Sequence, residues 1–224
     1  MCATYFVDDG TAMEMLEVIN ELNRKFGYET VSYDQIYPQA FSKTGDIYPK
    51  QTALAGSVRD ARFTVSAPIW GFPMKQSGKV SFNARAENLK KYGMWKRAYT
   101  SGRAFVPARG FYENRKSSNG KSERYSFTDP HGGLLLLAAM IEKTISSDGN
   151  SFEAFTIITV DANLSVKDIH DRMPFLLDQE ELALWMTDEG YADSILTRTG
   201  PRLVSVLSPK PESGKENEQF SLFD

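Results

Sequence analysis

Cys2 is the only cysteine in the chain and follows Met1 directly. Once Met1 is removed, Cys2 offers an α-amine and a thiol on adjacent carbons, a pair that no internal residue can present. An aldehyde that meets this pair forms a Schiff base with the amine and then takes the thiol, closing a five-membered thiazolidine. The amine titrates near ~7.7–8 and the thiol near ~8.5, so both hold a reactive fraction at neutral pH, unlike lysine near ~10.4. Read alone, a cysteine at position 2 is more readily chance. Three other residues have matching chemistry. Glu113 follows Gly110-Phe111-Tyr112, and a carboxyl buried there would have a raised pKa suited to proton transfer; on composition alone a surface glutamate at a strand end is the plainer reading. Asn83, ahead of Ala84-Arg85, is either a helix N-cap or an amide that orients a polar reactant. His170, between Ile169 and Asp171-Arg172, is either a structural histidine or one half of a Cys–His pair. His131 sits in an Asp-Pro-His-Gly-Gly turn and reads as exposed. Two histidines and one cysteine make no zinc signature, so no metal or other cofactor is expected.

The elements that must position these groups are legible in part. Thr11 to Glu14 has the form of a capping box. Met15, Val18, Ile19, Leu22 and Phe26 then share a helical face, and Gly27 ends the helix. Residues 28–60 lack a period and read as long loops with short strands. Strands are expected at 62–65, at 103–107, at 125–128, along the apolar run Leu134 to Met140, at 155–160 and at 202–207. A short helix is expected after Arg85, ended by Gly93. Asp178 with Glu181 caps another, which carries Leu182, Trp185 and Met186. Hairpin tips fall at 117–120 and 146–150. The sum is an α+β chain with a mostly antiparallel, partly closed sheet and a few flanking helices.

Composition narrows the class. The chain has 224 residues, 41% hydrophobic and 25% charged, with a formal net charge of -3. That suits one soluble domain and gives no global basic field. A lone cysteine suits a reducing, cytoplasmic setting. The first residues lack a basic run and a long apolar stretch, so they read as no signal peptide. Residues 90–109 are the most basic stretch, with Tyr92, Trp95 and Tyr99 interleaved. Such a stretch either tracks a phosphate backbone or is a solvated face, and composition favours the solvated face. After Leu207 the sequence turns polar and rich in Pro, Ser and Glu, so 1–207 reads as the domain and 208–224 as a disordered tail.

Six segments together, in this order, resemble one family. They are Met1-Cys2, Trp70-Gly71, Phe82-Asn83-Ala84-Arg85-Ala86-Glu87, Val106 to Glu113, Thr159 to Asn163, and Ile169-His170-Asp171-Arg172-Met173-Pro174. The family is the SOS-response-associated peptidase (SRAP) family. The resemblance implies an SRAP-type fold and a monomeric sensor of abasic sites in single-stranded DNA, associated with the bacterial nucleoid, which crosslinks the ring-opened sugar to Cys2 as a thiazolidine. It implies that Asn83 orients the sugar and the Cys2 amine, that Glu113 shuttles protons and that His170 assists ring opening. Arg85 and Arg172 would hold phosphates, and Trp70 would pack against the nucleic acid. The peptidase label is then removal of Met1, autocatalytic or by an aminopeptidase. Two positions depart from the family pattern. Ala3-Thr4 stand where the family has Gly-Arg, and Asn114 stands where it has tryptophan. The rivals are an N-terminal-nucleophile cysteine amidotransferase and a non-catalytic single-stranded DNA-binding module. In the tail, Gln219-Phe220-Ser221-Leu222-Phe223 resembles the peptide that binds the bacterial sliding clamp, with Leu222 and Phe223 as apolar anchors.

Overall fold

A computed structural model describes residues 3–36, 44–74, 79–116, 120–145 and 149–209. In chain order the strands and α-helices are β1 (Tyr5–Val7), α1 (Thr11–Lys25), α2 (Tyr33–Ile36), β2 (Gly45–Ile47), β3 (Ala55–Arg59), β4 (Arg62–Ser66), β5 (Ile69–Trp70), β6 (Phe72–Pro73), β7 (Val80–Ser81) and β8 (Asn83–Arg85). They continue with α3 (Gly93–Ser101), β9 (Arg103–Ala108), β10 (Gly110–Lys116), β11 (Ser122–Thr128), β12 (Leu135–Ile145) and β13 (Ser151–Asp161). The last are β14 (Arg172–Pro174), β15 (Leu176–Leu177), α4 (Leu182–Thr187), α5 (Glu189–Ile195) and β16 (Val204–Leu207).

Two main sheets divide these strands. One runs β16-β11-β10-β1-β2, and every pairing in it is antiparallel. The other runs β14-β13-β12-β9-β3-β4, with β5, β8 and β15 attached to the side. Both are open paths. Among the described residues only β5 and β8 pair in parallel, both with β13. This is the expected α+β chain, dominated by antiparallel strands. The apolar runs explain the second sheet: Leu135 to Ile141 and Ala154 to Val160 are buried without interruption, as in strands covered on both faces. One hydrophobic cluster joins the two sheets and includes Tyr5, Trp70, Phe105, Phe111, Phe127 and Phe155.

The chain changes sheet between β9 and β10, at Arg109. The glycine after it has a steric reason. A Cβ on Gly110 would sit 2.4 Å from the Phe127 carbonyl oxygen and 2.6 Å from the Phe6 ring. Only glycine lets β1 and β11 close on β10 from either side at the head of Gly110-Phe111-Tyr112-Glu113.

Some local expectations are corrected. Gly10 precedes α1, and its first turn is held by Asp8 instead of a Thr11–Glu14 box: Asp8 Oδ1 accepts from the Thr11 amide at 2.9 Å, and Thr11 Oγ1 accepts from the Asp8 amide at 3.0 Å. Glu14 turns away to pair with Arg109. Phe26 lies outside α1 and packs on Phe63. Residues 83–85 form a strand, because β13 pairs with them; only Ala86–Asn88 make a single 3-10 turn, and Gly93 begins α3 instead of ending a helix. The expected Asp178–Glu181 capping box is present, with both reciprocal bonds. Both hairpin tips lie partly outside the described residues, and the tail from residue 210 lies wholly outside them.

Candidate active site

Glu113 lies in β10, opposite Tyr125 of β11, and its side chain is 3% exposed. It faces inward because Phe111 and Glu113 share the face of β10 that packs on the core. Burial is the main cause that pushes its carboxyl up to about 7, and the Asp171 charge adds to the rise. Its Oε2 lies 3.9 Å from His170 Nε2. The His170 ring is oriented from its other nitrogen. The Arg172 amide donates to Nδ1 at 2.9 Å, and Asp171 Oδ1 also lies 2.9 Å from it. An amide hydrogen on Nδ1 leaves Nε2 to carry the proton that points at Glu113. Burial, the largest influence, holds the imidazole below its usual pKa, while Asp171 pulls the other way.

Asn83 is buried in β8, in register with Ile157 of β13. The carbonyl before it is held twice: Phe82 O accepts from Trp70 Nε1 at 2.8 Å and from the Ile157 amide at 3.1 Å. Trp70 itself is fully buried, stacked on Phe155 with centroids 6.0 Å apart and tilted against Tyr5 at 5.1 Å. This corrects the expected contact between Trp70 and nucleic acid. The rings of Phe155, Tyr5 and Phe82 and the hydrogen bond to Phe82 O surround the indole. Its effect on the site passes through Phe82 to Asn83. Gly71, beside it, has φ +119, and a Cβ there would meet Val80 at 2.7 Å.

The two expected phosphate-binding arginines differ sharply. Arg172 is 6% exposed. It donates to Asp161 Oδ1 at 2.5 Å, to Glu87 Oε2 at 2.9 Å and to the Thr159 carbonyl at 2.7 Å. Its guanidinium is thereby committed to fixing the segment that presents His170. Arg85 is exposed at the end of β8, opposite Thr159, and makes no ion pair among the described residues. The basic stretch 90–109 is mostly satisfied within the protein. Lys90 pairs with Asp193, Arg97 with Glu142, and Arg109 with Asp8 and Glu14, while Arg103 is buried against the carbonyls of Trp185, Tyr99 and Thr100.

Cys2 lies outside the described residues. The chain that follows it does not. The Tyr112 amide donates to Thr4 O at 2.9 Å, and Tyr5 pairs with Phe111. Read backwards from Tyr5, β1 advances along β10 toward Glu113. Asp171, Asp161 and Glu87 hold the site together and were not singled out by the sequence. All three lie within the segments that carry the family resemblance, but nothing in their spacing shows that Glu87 and Asp161 close on Arg172.

The model of the SOS response associated peptidase (SRAP) family matches residues 1–206. The chain belongs to the SRAP family. An SRAP relative from Bacillus subtilis, abasic site processing protein YoqW, is 28% identical over 178 residues, covering 75% of this chain and 80% of the relative. Abasic site processing protein YedK from Escherichia coli is 30% identical over 145 residues, 64% of each chain. Solved structures share the fold. A protein from Bacteroides thetaiotaomicron matches with a TM-score of 0.70 at 17% identity over 93% of both chains. One from Bordetella bronchiseptica matches with 0.69 at 19% identity, over 93% of this chain and all of that one.

Proposed function

We propose that this SRAP chain processes abasic sites in single-stranded DNA by forming a covalent thiazolidine with the ring-opened sugar through Cys2. The observation that carries the reading is the Glu113–His170 pair: a buried carboxyl with a pKa near neutrality, 3.9 Å from an oriented imidazole, on the strand beside which the N-terminal strand runs. The names of the relatives supply the substrate class.

The chemistry follows from the groups. With Met1 removed, the Cys2 amine adds to the C1′ aldehyde to give a carbinolamine. Glu113, half protonated near pH 7, donates a proton to the departing hydroxyl, and water leaves with the C–O electron pair. The imine then accepts the Cys2 thiolate at carbon, and the nitrogen takes up the proton. The sum is one C–N and one C–S bond formed and one water released. His170 Nε2 is suited to exchange the proton of the sugar hydroxyl as the ring opens. Asn83, fixed on β8, orients the sugar and the amine. Arg85 supplies an exposed cation for a flanking phosphate, and Arg172 supports the site from beneath. A positioned acid or base of this kind contributes roughly 10²–10⁴-fold. The family's peptidase name is met by loss of Met1, since an acylated Cys2 nitrogen is not nucleophilic.

The match of residues 219–223 to a sliding-clamp peptide supports delivery of the protein to gaps at stalled replication. The test of the central reading is incubation with an abasic single-stranded oligonucleotide followed by a denaturing gel. A heat-stable adduct formed by the wild type and absent from Cys2→Ala supports it; equal adducts from both proteins overturn it.

A further inference from the structure

The inward face of β10 continues past Glu113. Arg115 is the next residue on that face, one strand repeat or about 7 Å further on. Across the sheet the same rows hold Tyr125, opposite Glu113, and Glu123, opposite Arg115. The row of Glu113 and Tyr125 runs on to Leu207 of β16. Near Glu113 this face is core, but toward the β10–β11 tip it opens. The Arg115 side chain is 42% exposed and Leu207 is 56% exposed, with Tyr125 half-buried between the core and solvent.

Arg115 and Tyr125 form a ledge, with Leu207 opposite Tyr125 in the row. Arg115 Nη2 donates to Tyr125 Oη at 2.7 Å and to Glu123 Oε2 at 2.9 Å, with the guanidinium carbon 5.1 Å from the tyrosine ring centroid. Those contacts use one nitrogen. Arg115 Nη1 and Nε make no hydrogen bond among the described residues, and an ion pair this exposed is worth so little that an incoming phosphate can share the cation. A cation beside an aromatic ring, with no base-reading amide in the row, is the composition of a sequence-tolerant single-strand site. Four other arginines, Arg103, Arg109, Arg124 and Arg172, are spent internally. Arg85 lies at the end of β8 in the other sheet, so Arg85 and Arg115 stand on different sheets, one beside Asn83 and one beside Glu113.

We propose that Arg115, Tyr125 and Leu207 form a subsite for the nucleotide next to the reacting sugar. Arg115 holds the connecting phosphate, and the neighbouring base lies over Tyr125 and the exposed edge of Leu207. The placement next to Glu113 rests on the proposed abasic-site reading; binding of a single strand at the ledge does not. The ledge recognises a backbone and any base, so abasic sites would be taken in any sequence context.

The experiment uses the full chain and an oligonucleotide carrying a tetrahydrofuran abasic analogue, which has no aldehyde and cannot crosslink. Affinity is measured against salt by fluorescence anisotropy for wild type, Arg115→Gln, Tyr125→Leu and Lys116→Gln. Lys116 is exposed on the opposite face of β10 and serves as the control. Arg115→Gln is expected to reduce the slope of log K against log salt by about 0.7, one single-strand phosphate. Tyr125→Leu keeps an apolar side chain against the core and is expected to weaken binding roughly 5- to 150-fold by loss of base stacking, with the fold retained. Lys116→Gln is expected to match wild type. Arg115→Gln and Tyr125→Leu proteins that bind within about twofold of wild type, with the same salt slope, would overturn the subsite. A crosslinking gel with true abasic DNA separates the two ideas. No wild-type adduct alongside weakened variants sinks the thiazolidine reading and leaves the ledge, while a normal adduct with unaffected variants does the reverse.

Discussion

Glu113 and His170 face each other across the junction of the two sheets, with 3.9 Å between Oε2 and Nε2. Burial pushes the carboxyl up to about 7, so it is near half protonated at pH 7, while burial holds the imidazole below its usual value and so favours its neutral form. A pair tuned in this way can give and take a proton without a large free-energy step in either direction.

The pH dependence follows with a definite sign. A carboxyl whose folded pKa is about 7, against an unfolded value of 4.5, binds more protons in the native state between those values. Its contribution to stability is complete below pH 4.5 and is lost as pH rises through 7. The loss is on the order of 1–3 kcal/mol. Glu113→Gln should therefore flatten the fall in melting temperature between pH 5 and 8. The same substitution should slow adduct formation roughly 10²-fold or more and remove the inflection near pH 7. Thermal melts and single-turnover gels across that range check both; an unchanged rate profile returns Glu113 to a structural role.

Arg85 and Arg172 should separate cleanly. Arg172→Gln breaks a buried, three-partner contact and should lower the melting temperature by several degrees, since each 1 kcal/mol is worth roughly 2–4 °C in a chain of this size. Arg85→Gln should leave the melting temperature unchanged and weaken single-strand binding, with a shallower salt slope. Calorimetry and anisotropy on the two variants make the comparison. Normal stability in Arg172→Gln would contradict the positioning role.

Trp70→Phe removes the hydrogen bond to Phe82 O and shrinks a fully buried ring. We expect a destabilisation of about 1–3 kcal/mol from the combined loss of packing and the bond. The rate of adduct formation should also fall, because Asn83 loses its support, while affinity for the tetrahydrofuran oligonucleotide should hold. A variant of normal stability that bound DNA poorly would instead place the indole at the nucleic acid.

For the tail, a labelled peptide of residues 208–224 titrated with a bacterial sliding clamp should bind, and Leu222→Ala with Phe223→Ala should abolish binding. The 11 residues from Ser208 to Glu218 reach roughly 36–40 Å when extended, enough to keep the domain beside the clamp. Equal binding by the double variant would dismiss the anchors.

The strands were legible because their apolar runs are continuous or alternate over several residues, as in Leu134 to Met140. Elements decided by tertiary contact were not. Residues 83–85 carry a helix-like Asn-Ala-Arg signal, yet β13 captures them as a strand. Thr11-x-x-Glu14 fits a capping box, yet Arg109 claims Glu14 from 95 residues away. The resemblance groups Asn83, Glu113 and His170, but adjacency in a motif carries no information about facing. Trp70 and Arg172 occur in the same kind of short polar-aromatic segments as the exposed Arg85, and only burial reveals that they hold other residues in place.

One strand, β13, organises this layout. It pairs with β8 through Ile157 to Thr159, and with β14 through Thr159 to Asp161. Asn83 and the His170–Arg172 segment are thus riveted to the same beam, while Glu113 rides on the other sheet. Any breathing motion between the sheets must leave the distance from Asn83 to His170 nearly fixed and stretch or compress the gap from His170 to Glu113. The proton pair is therefore the elastic coordinate of the site. Hydrogen exchange should find the amides of Ile157 and Thr159 among the slowest in the chain, with the dynamics that gate proton transfer concentrated at the seam that Glu113 and His170 share.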